Sequence, residues 1–216
     1  MCVIIPRYFF LWGWQMSNYV RYGVRLLLKA MIAAWCFILI LGGAAAAQTQ
    51  AAATGKVTVN YTLTRISGSA SNQFAVWIED EAGKYIRTLF VTNYMARRQG
   101  WKARQQSLVT WVKAADVKNL PKEDIDAMSS ATPQSGKLSV VWDLKDAAGK
   151  PVLAGVYVYR VEGCLLWENN VLWTGKISVG KAAASSQAEA GYYHEAAEKL
   201  DRTLISDVSA AYEPAQ

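Results

Sequence analysis

Polar and apolar residues begin to alternate at Lys56. From there to Ile66, Val57, Val59, Tyr61 and Leu63 take one parity, and Thr58, Asn60, Thr62 and Thr64 take the other. A period of two predicts a strand with one buried face and one wet face. The Gly/Ser/Asn cluster at 67–72 ends it. Phe74–Asp80 and Tyr85–Val91 then flank Glu81–Lys84, where Gly83 marks the turn of a hairpin.

The period changes in the middle of the chain. Leu108, Trp111, Val112 and Ala115 fall at i, i+3, i+4 and i+7. That spacing predicts a helix over 103–115 with one apolar stripe. Pro121 stands where a second short helix would start, with Glu123, Asp124 and Asp126 suited to its early turns. The segment 126–136 reads as a loop by composition. Strands resume over 137–144 and 156–163, separated by a turn that holds Gly149, Pro151 and Gly155. Residues 164–180 read as one more hairpin, with Asn169–Asn170 at its turn. Short strands spaced by turns predict a mainly β protein, a β-sandwich over 55–180 with the helical piece inserted between its halves. Residues 181–216 are expected to form a weakly attached tail, with one amphipathic helix placing Tyr193, Ala197, Leu200 and Leu204 on one face.

The head of the chain has a different logic. Arg7, Arg21, Arg25 and Lys29 precede Gln48, and no acid does. An apolar run, Ala30–Gly43, leads into Ala45–Ala46–Ala47, whose small side chains suit the subsites of a signal peptidase. This order predicts a secretory signal helix over 1–47, a mature chain from Gln48 and a periplasmic destination. Residues before Met16 are surplus to a signal, which makes Met16 an alternative start. The competing reading is an uncleaved membrane anchor, because 30–47 is apolar throughout and just long enough to span. The alanine-rich end favours cleavage.

Charge changes the picture only by where it lies. The formal charge is +6, but from Gln48 onward nineteen basic residues face seventeen acidic ones. No Lys/Arg stripe remains to neutralise a row of phosphates, which excludes a nucleic-acid binder. Arg97, Arg98, Lys102 and Arg104 gather around Trp101. A solvated turn accounts for that cluster, while Trp101, next to Gly100, is the best candidate for an exposed partner contact. Trp77 and Trp142 sit within strand patterns and are expected in the core. Cys2 and Cys36 lie in the leader, so Cys164 is alone in the mature chain and is expected as a buried small hydrophobe.

The inventory of reactive groups argues against an enzyme. His194 is the single histidine and falls in the tail, which leaves a Ser-His-Asp or Cys-His arrangement without a base in the main domain. No His/Cys cluster has metal-ligand spacing, and no glycine-rich loop is built for phosphates. Asp143 and Asp146 are expected to form turns rather than to bind calcium. No catalytic or metal-binding residue is assigned.

Two segments carry a resemblance. Trp142–Gly163, with its W-D-x-x-D-x-x-G pattern, resembles the Ig-like module of flagellar hook-capping proteins. Together with Phe74–Val91 and Ser107–Ala114, it makes the chain similar to the predicted periplasmic proteins called domain of unknown function 2271. That resemblance implies export, an Ig-like antiparallel sandwich and no known catalytic activity. It also implies association with PepSY-type membrane proteins and envelope flavin transferases. The role it suggests is a non-catalytic accessory module of a flavin-linked redox system. The hook-cap analogy suggests a structural envelope protein instead, on fold alone.

The stretch Asp126-Ala-Met-Ser-Ser-Ala-Thr132 is similar to the acceptor pattern D-x-x-(S/T)-(G/S)-A-T of the transferases that attach FMN to a threonine hydroxyl. Asp126, Ser129, Ser130, Ala131 and Thr132 fill each specified position. The similarity implies a covalent FMN on Thr132, recognised through the other four, with Trp101 or Trp111 sheltering the ring. A phosphoester needs a hydroxyl, and small neighbours let a transferase approach. The plain alternative is a helix-exit loop whose hydroxyls cap backbone groups.

Overall fold

The computed structural model describes residues 51–67, 72–97, 100–165, 170–192 and 204–216. The expected signal helix, Arg98, Trp167, Asn169 and His194 lie outside them.

Ten strands are described. They are β1 (Gly55–Leu63), β2 (Gln73–Asp80), β3 (Tyr85–Thr92), β4 (Ser129–Ser130), β5 (Gly136–Trp142), β6 (Gly155–Cys164), β7 (Asn170–Val179), β8 (Ala184–Gln187), β9 (Glu189–Tyr192) and β10 (Ile205–Pro214). Between β3 and β4 run α1 (Asn93–Ala96), α2 (Gly100–Ala103), α3 (Val109–Ala114), the 3₁₀ turn η1 (Val117–Asn119) and α4 (Lys122–Met128). The strands make two open sheets, ordered β5-β1-β10-β8 and β4-β3-β2-β6-β7-β9. Every pairing is antiparallel except β3 with β4, where Val91 and Thr92 lie beside Ser129 and Ser130. The mainly β sandwich with a helical insertion is therefore the architecture.

The core follows from the alternation. On β1, Val57, Val59, Tyr61 and Leu63 are buried, and Phe74, Val76 and Ile78 of β2 join them in one apolar cluster between the sheets. Trp142 is fully buried there, its indole N–H donating to the Lys145 carbonyl at 2.8 Å. The β2–β3 turn forms where expected: Gly83 takes φ +82°, and the Lys84 N–H donates to Asp80 Oδ1 at 2.8 Å. In the second turn the Lys150 N–H donates to Asp146 Oδ1 at 2.9 Å, the turn-forming part expected of that aspartate.

Buried residues run without interruption along β2 from Gln73 to Glu79, because both faces of this strand are covered. Ala75 and Trp77 face away from the sandwich, into a second cluster with Met95, Leu108, Trp111 and Cys164. The helical segment is thus a third layer over part of the six-stranded sheet. Cys164 is buried as expected, its sulfur 3.2 Å from Ser107 Oγ.

Four expectations are corrected. The helix predicted over 103–115 is shorter, Val109–Ala114, because Leu108 turns to φ +54° and stops it from starting earlier. Its stripe is nonetheless buried at Leu108, Trp111 and Ala115. Residues 126–136 are not one loop: α4 runs to Met128, and Ser129–Ser130 pair with β3, satisfying backbone groups that an open edge would expose. Asn170 does not lie in a turn; it opens β7 opposite Cys164, with its side-chain amide donating to the Gln106 carbonyl. The segment 181–216 is no loose appendage either. Strand β10 lies between β1 and β8 and buries Ile205, Val208, Ala210 and Tyr212. Leu204, the last residue of the expected tail helix, is buried beside it, and 193–203 fall outside the described residues.

Candidate functional site

The helical layer is the part of the molecule built for something other than closing the sandwich. A helix of six residues has most of its backbone N–H groups at its terminus, and Leu108 at the N-cap has no side-chain oxygen to receive the first of them. Glu162 supplies it from β6. Its Oε1 accepts from the Thr110 N–H at 3.2 Å, and its Oε2 from the Trp111 N–H at 2.8 Å. The carboxyl is fully buried, and burial pushes its pKa up to about 7. The two N–H groups, the Thr110 side chain and Arg160 pull the other way and only partly offset that. Glu162 is therefore a remote helix cap, held near its titration point by its own burial.

One more buried hydrogen bond ties the layer to the sheet, and a second joins two strands beneath it. The Trp111 indole N–H donates to Thr88 Oγ1 at 2.9 Å, and Thr92 donates to Gln73 Oε1 at 2.6 Å. Beyond the helices, the Trp77 indole donates to Glu79 Oε1 at 2.8 Å, and Arg160 pairs with Glu79 Oε2 at 2.7 Å. None of these acids stands open to solvent as a base. Sequence reasoning passed over Glu162. The signal was there: Arg160 and Glu162 share the strand parity opposite Tyr157, Tyr159 and Val161, so charge must lie on a covered face.

Two surface cavities flank α4. One, of about 310 Å³, lies between β3 and α4, with Tyr85, Asp124, Met128 and Val141 on its walls. The other, of about 680 Å³, opens on the opposite side of α4 and includes Trp101. Trp101 is half-buried, with the Lys102 ammonium 5.1 Å from its ring centroid. A Cβ on Gly100 would come within 2.5 Å of the Tyr94 ring, so glycine lets α2 sit tight on α1.

The acceptor-like residues are spread over three kinds of structure. Asp126 lies on α4 and pairs with Arg97 at 2.9 Å; Ser129 and Ser130 lie in β4; Ala131 is exposed and Thr132 half-buried in the stretch after it. That stretch is anchored: Arg65 donates from its backbone to Ser135 Oγ at 3.0 Å and from its guanidinium to the Pro133 carbonyl at 3.2 Å. Ser129 Oγ is buried without a hydrogen-bond partner among the described residues. Thr132 lines neither cavity, and Trp111, fully buried, has no face to give a flavin ring. Among the described residues no three His, Cys, Asp or Glu side chains gather to hold a metal.

The model of a family described as predicted periplasmic protein, DUF2271, matches residues 54–196. The chain belongs to that family. The DUF2271 match takes in both cavities and the acceptor-like stretch, and it stops before β10, although that strand completes the four-stranded sheet. Among the described residues no helix is long and apolar enough to cross a membrane. No curated protein and no solved structure was found to match the chain.

Proposed function

We propose that this DUF2271 protein is a non-catalytic, exported interaction module with an Ig-like sandwich, an accessory of an envelope flavin-linked redox system. The observation that carries the reading is the attachment of the helical layer. Glu162, a buried acid whose pKa is pushed up to about 7, has both oxygens committed to α3, so it fixes a surface rather than serving a substrate. A layer held from beneath by buried hydrogen bonds presents the same face to every partner, which lowers the ordering cost of association. The partner would be a PepSY-type membrane protein or a flavin transferase.

A second reading makes the chain an electron carrier with FMN esterified to Thr132. The half-exposed hydroxyl on an anchored stretch favours it. One experiment separates the two. The full chain, with its leader, is expressed in a host that exports an active flavin transferase, cross-linked in the envelope and purified for intact mass. The first reading expects an unmodified mass and a cross-linked PepSY-type membrane protein or transferase. A gain of one FMN less water, absent from Thr132→Ala, would establish the second. Neither adduct nor cross-link would leave a structural envelope protein.

A further inference from the structure

We infer that the groove beside Trp101 is a docking site for an acidic segment of a partner protein, anchored by apolar side chains. The inference rests on the interaction-module reading and names the chemistry of the partner. The floor of the groove is apolar: Val117 is buried, and Trp101, Leu120 and Ile125 are half-buried. The rim is cationic. Arg97, Lys102, Lys118 and Lys122 all stand exposed around it, against one acid, Asp126, which is already paired with Arg97. Four cations against one acid line this opening, in a chain whose charges from Gln48 onward otherwise nearly balance.

Each cation comes from a different place: the residue after α1, then α2, η1 and α4. All four are exposed, whereas Val117 among the same lining residues is buried. A site for a small phosphate draws its cations and backbone N–H groups inward around the anion. Here the enclosed surface is apolar and the charges remain outside. That arrangement fits a segment whose carboxylates meet the rim while two or three apolar side chains reach the floor. The rim would speed and orient the encounter, and the floor would slow the departure. Lys102 over the Trp101 ring keeps one cation at the edge of the central anchor position.

The test uses the full exported chain and a short fluorescent peptide rich in Asp and Glu, with Leu and Phe one helical turn apart. The peptide is expected to bind with an affinity that falls steeply with salt. Joint reversal, Lys118→Glu with Lys122→Glu, is expected to weaken it about tenfold or more, and Trp101→Ala by a similar factor. Both lysines are exposed, so the reversal keeps the fold and decides the matter even if Trp101→Ala does not fold. The proposal is overturned by absent binding, by unchanged affinity in the reversal, or by equal binding of a Glu/Ser peptide without anchors. Displacement of the peptide by inorganic phosphate or FMN at comparable concentration would overturn it too, in favour of a small-anion site. Cross-linking of the reversal variant in the envelope separates the two levels. If the peptide fails while the membrane partner is still captured, the groove is wrong and the module reading stands.

Discussion

The two faces of the six-stranded sheet are buried by different means. Toward the other sheet, Phe74, Val76 and Ile78 meet Val57, Val59 and Tyr212 in a packing that is almost wholly apolar. Toward the helices, Ala75, Trp77 and Cys164 share their cover with buried Glu162, Thr88, Gln73, Thr92 and Ser107. The cause is the backbone. Paired strands satisfy their own N–H and C=O groups along their length, so apolar contact suffices to join two sheets. Helices of four to seven residues leave most such groups at their ends and must borrow partners from the sheet below. The inner core therefore carries most of the stability. The outer layer trades stability for a surface whose position is specified by hydrogen bonds.

The sharpest way to break this comparison is to end the chain after Leu204. Strand β10 contributes Ile205, Val208 and Tyr212 to the inner core and pairs with β1 and β8. Three large buried side chains at about 1.5–3 kcal/mol each rival the whole stability of an ordinary domain, about 5–15 kcal/mol. The truncated chain is expected to lose its cooperative urea transition altogether. A retained transition would mean that the four-stranded sheet does not need its centre.

How legible each part was depended on its contrast. Strand β1 could be read directly, since large apolar and polar residues alternate there with no break in parity, and β2 and β3 could be read from the glycine turn between two apolar runs. Strand β10 could not. Its inward positions include Ala210, with Ser209 and Ala211 beside it, so the alternation has little contrast. It also carries a bulge: Asn60 and Thr62 of β1 face Ser209 and Ser206, two steps on one strand against three on the other. With Asp207 at φ +52°, Ile205 and Val208 both point inward at a spacing of three, which imitates a helix. The candidate site divides in the same way. Trp101 among basic residues was visible as a contact, but Lys118 and Lys122 are far along the chain and on other elements. Only folding shows that they complete its rim. Met128 to Ser130 is a junction of helix and strand that composition alone reads as loop, because small polar residues suit both.

Glu162 sharpens the comparison by giving the outer layer a pH dependence. Burial raises its folded pKa from 4.5 to about 7, so the folded chain holds this proton more tightly than the unfolded chain. Between those values the unfolded state has released the proton and the fold still keeps it. This contribution is therefore fully present below pH 4.5, falls as pH rises through the window, and is gone above about 7, a change of up to about 3 kcal/mol. Glu162→Gln removes the titration and leaves one of the two N–H groups without an acceptor, at about 1–3 kcal/mol. In urea unfolding, the gap between wild type and Glu162→Gln is expected to be widest at the acid end of the window, to narrow as pH rises to about 7 and to stay level above it. A gap independent of pH would show that Glu162 has the same pKa in the folded and the unfolded chain.

The smallest expected effect lies at the rim. Arg97 and Asp126 join the end of α1 to α4 across solvent, with both side chains close to half exposed. Pairs of this kind couple by about 0.2–1 kcal/mol, and the Arg97 guanidinium has the Asp126 carbonyl as a further acceptor at 3.2 Å. A double-mutant cycle with Arg97→Ala and Asp126→Ala is expected to fall in that range, below the effect of Glu162→Gln at acid pH. A coupling above about 2 kcal/mol would mean that the layer is clamped from its surface rather than capped from beneath. The same substitution bears on the groove. Asp126→Ala releases Arg97 to the rim and removes its single acid, so the acidic peptide should bind more tightly to this variant while Arg97→Ala weakens it. Opposite signs from the two halves of one ion pair would separate the pair's part in recognition from its part in stability.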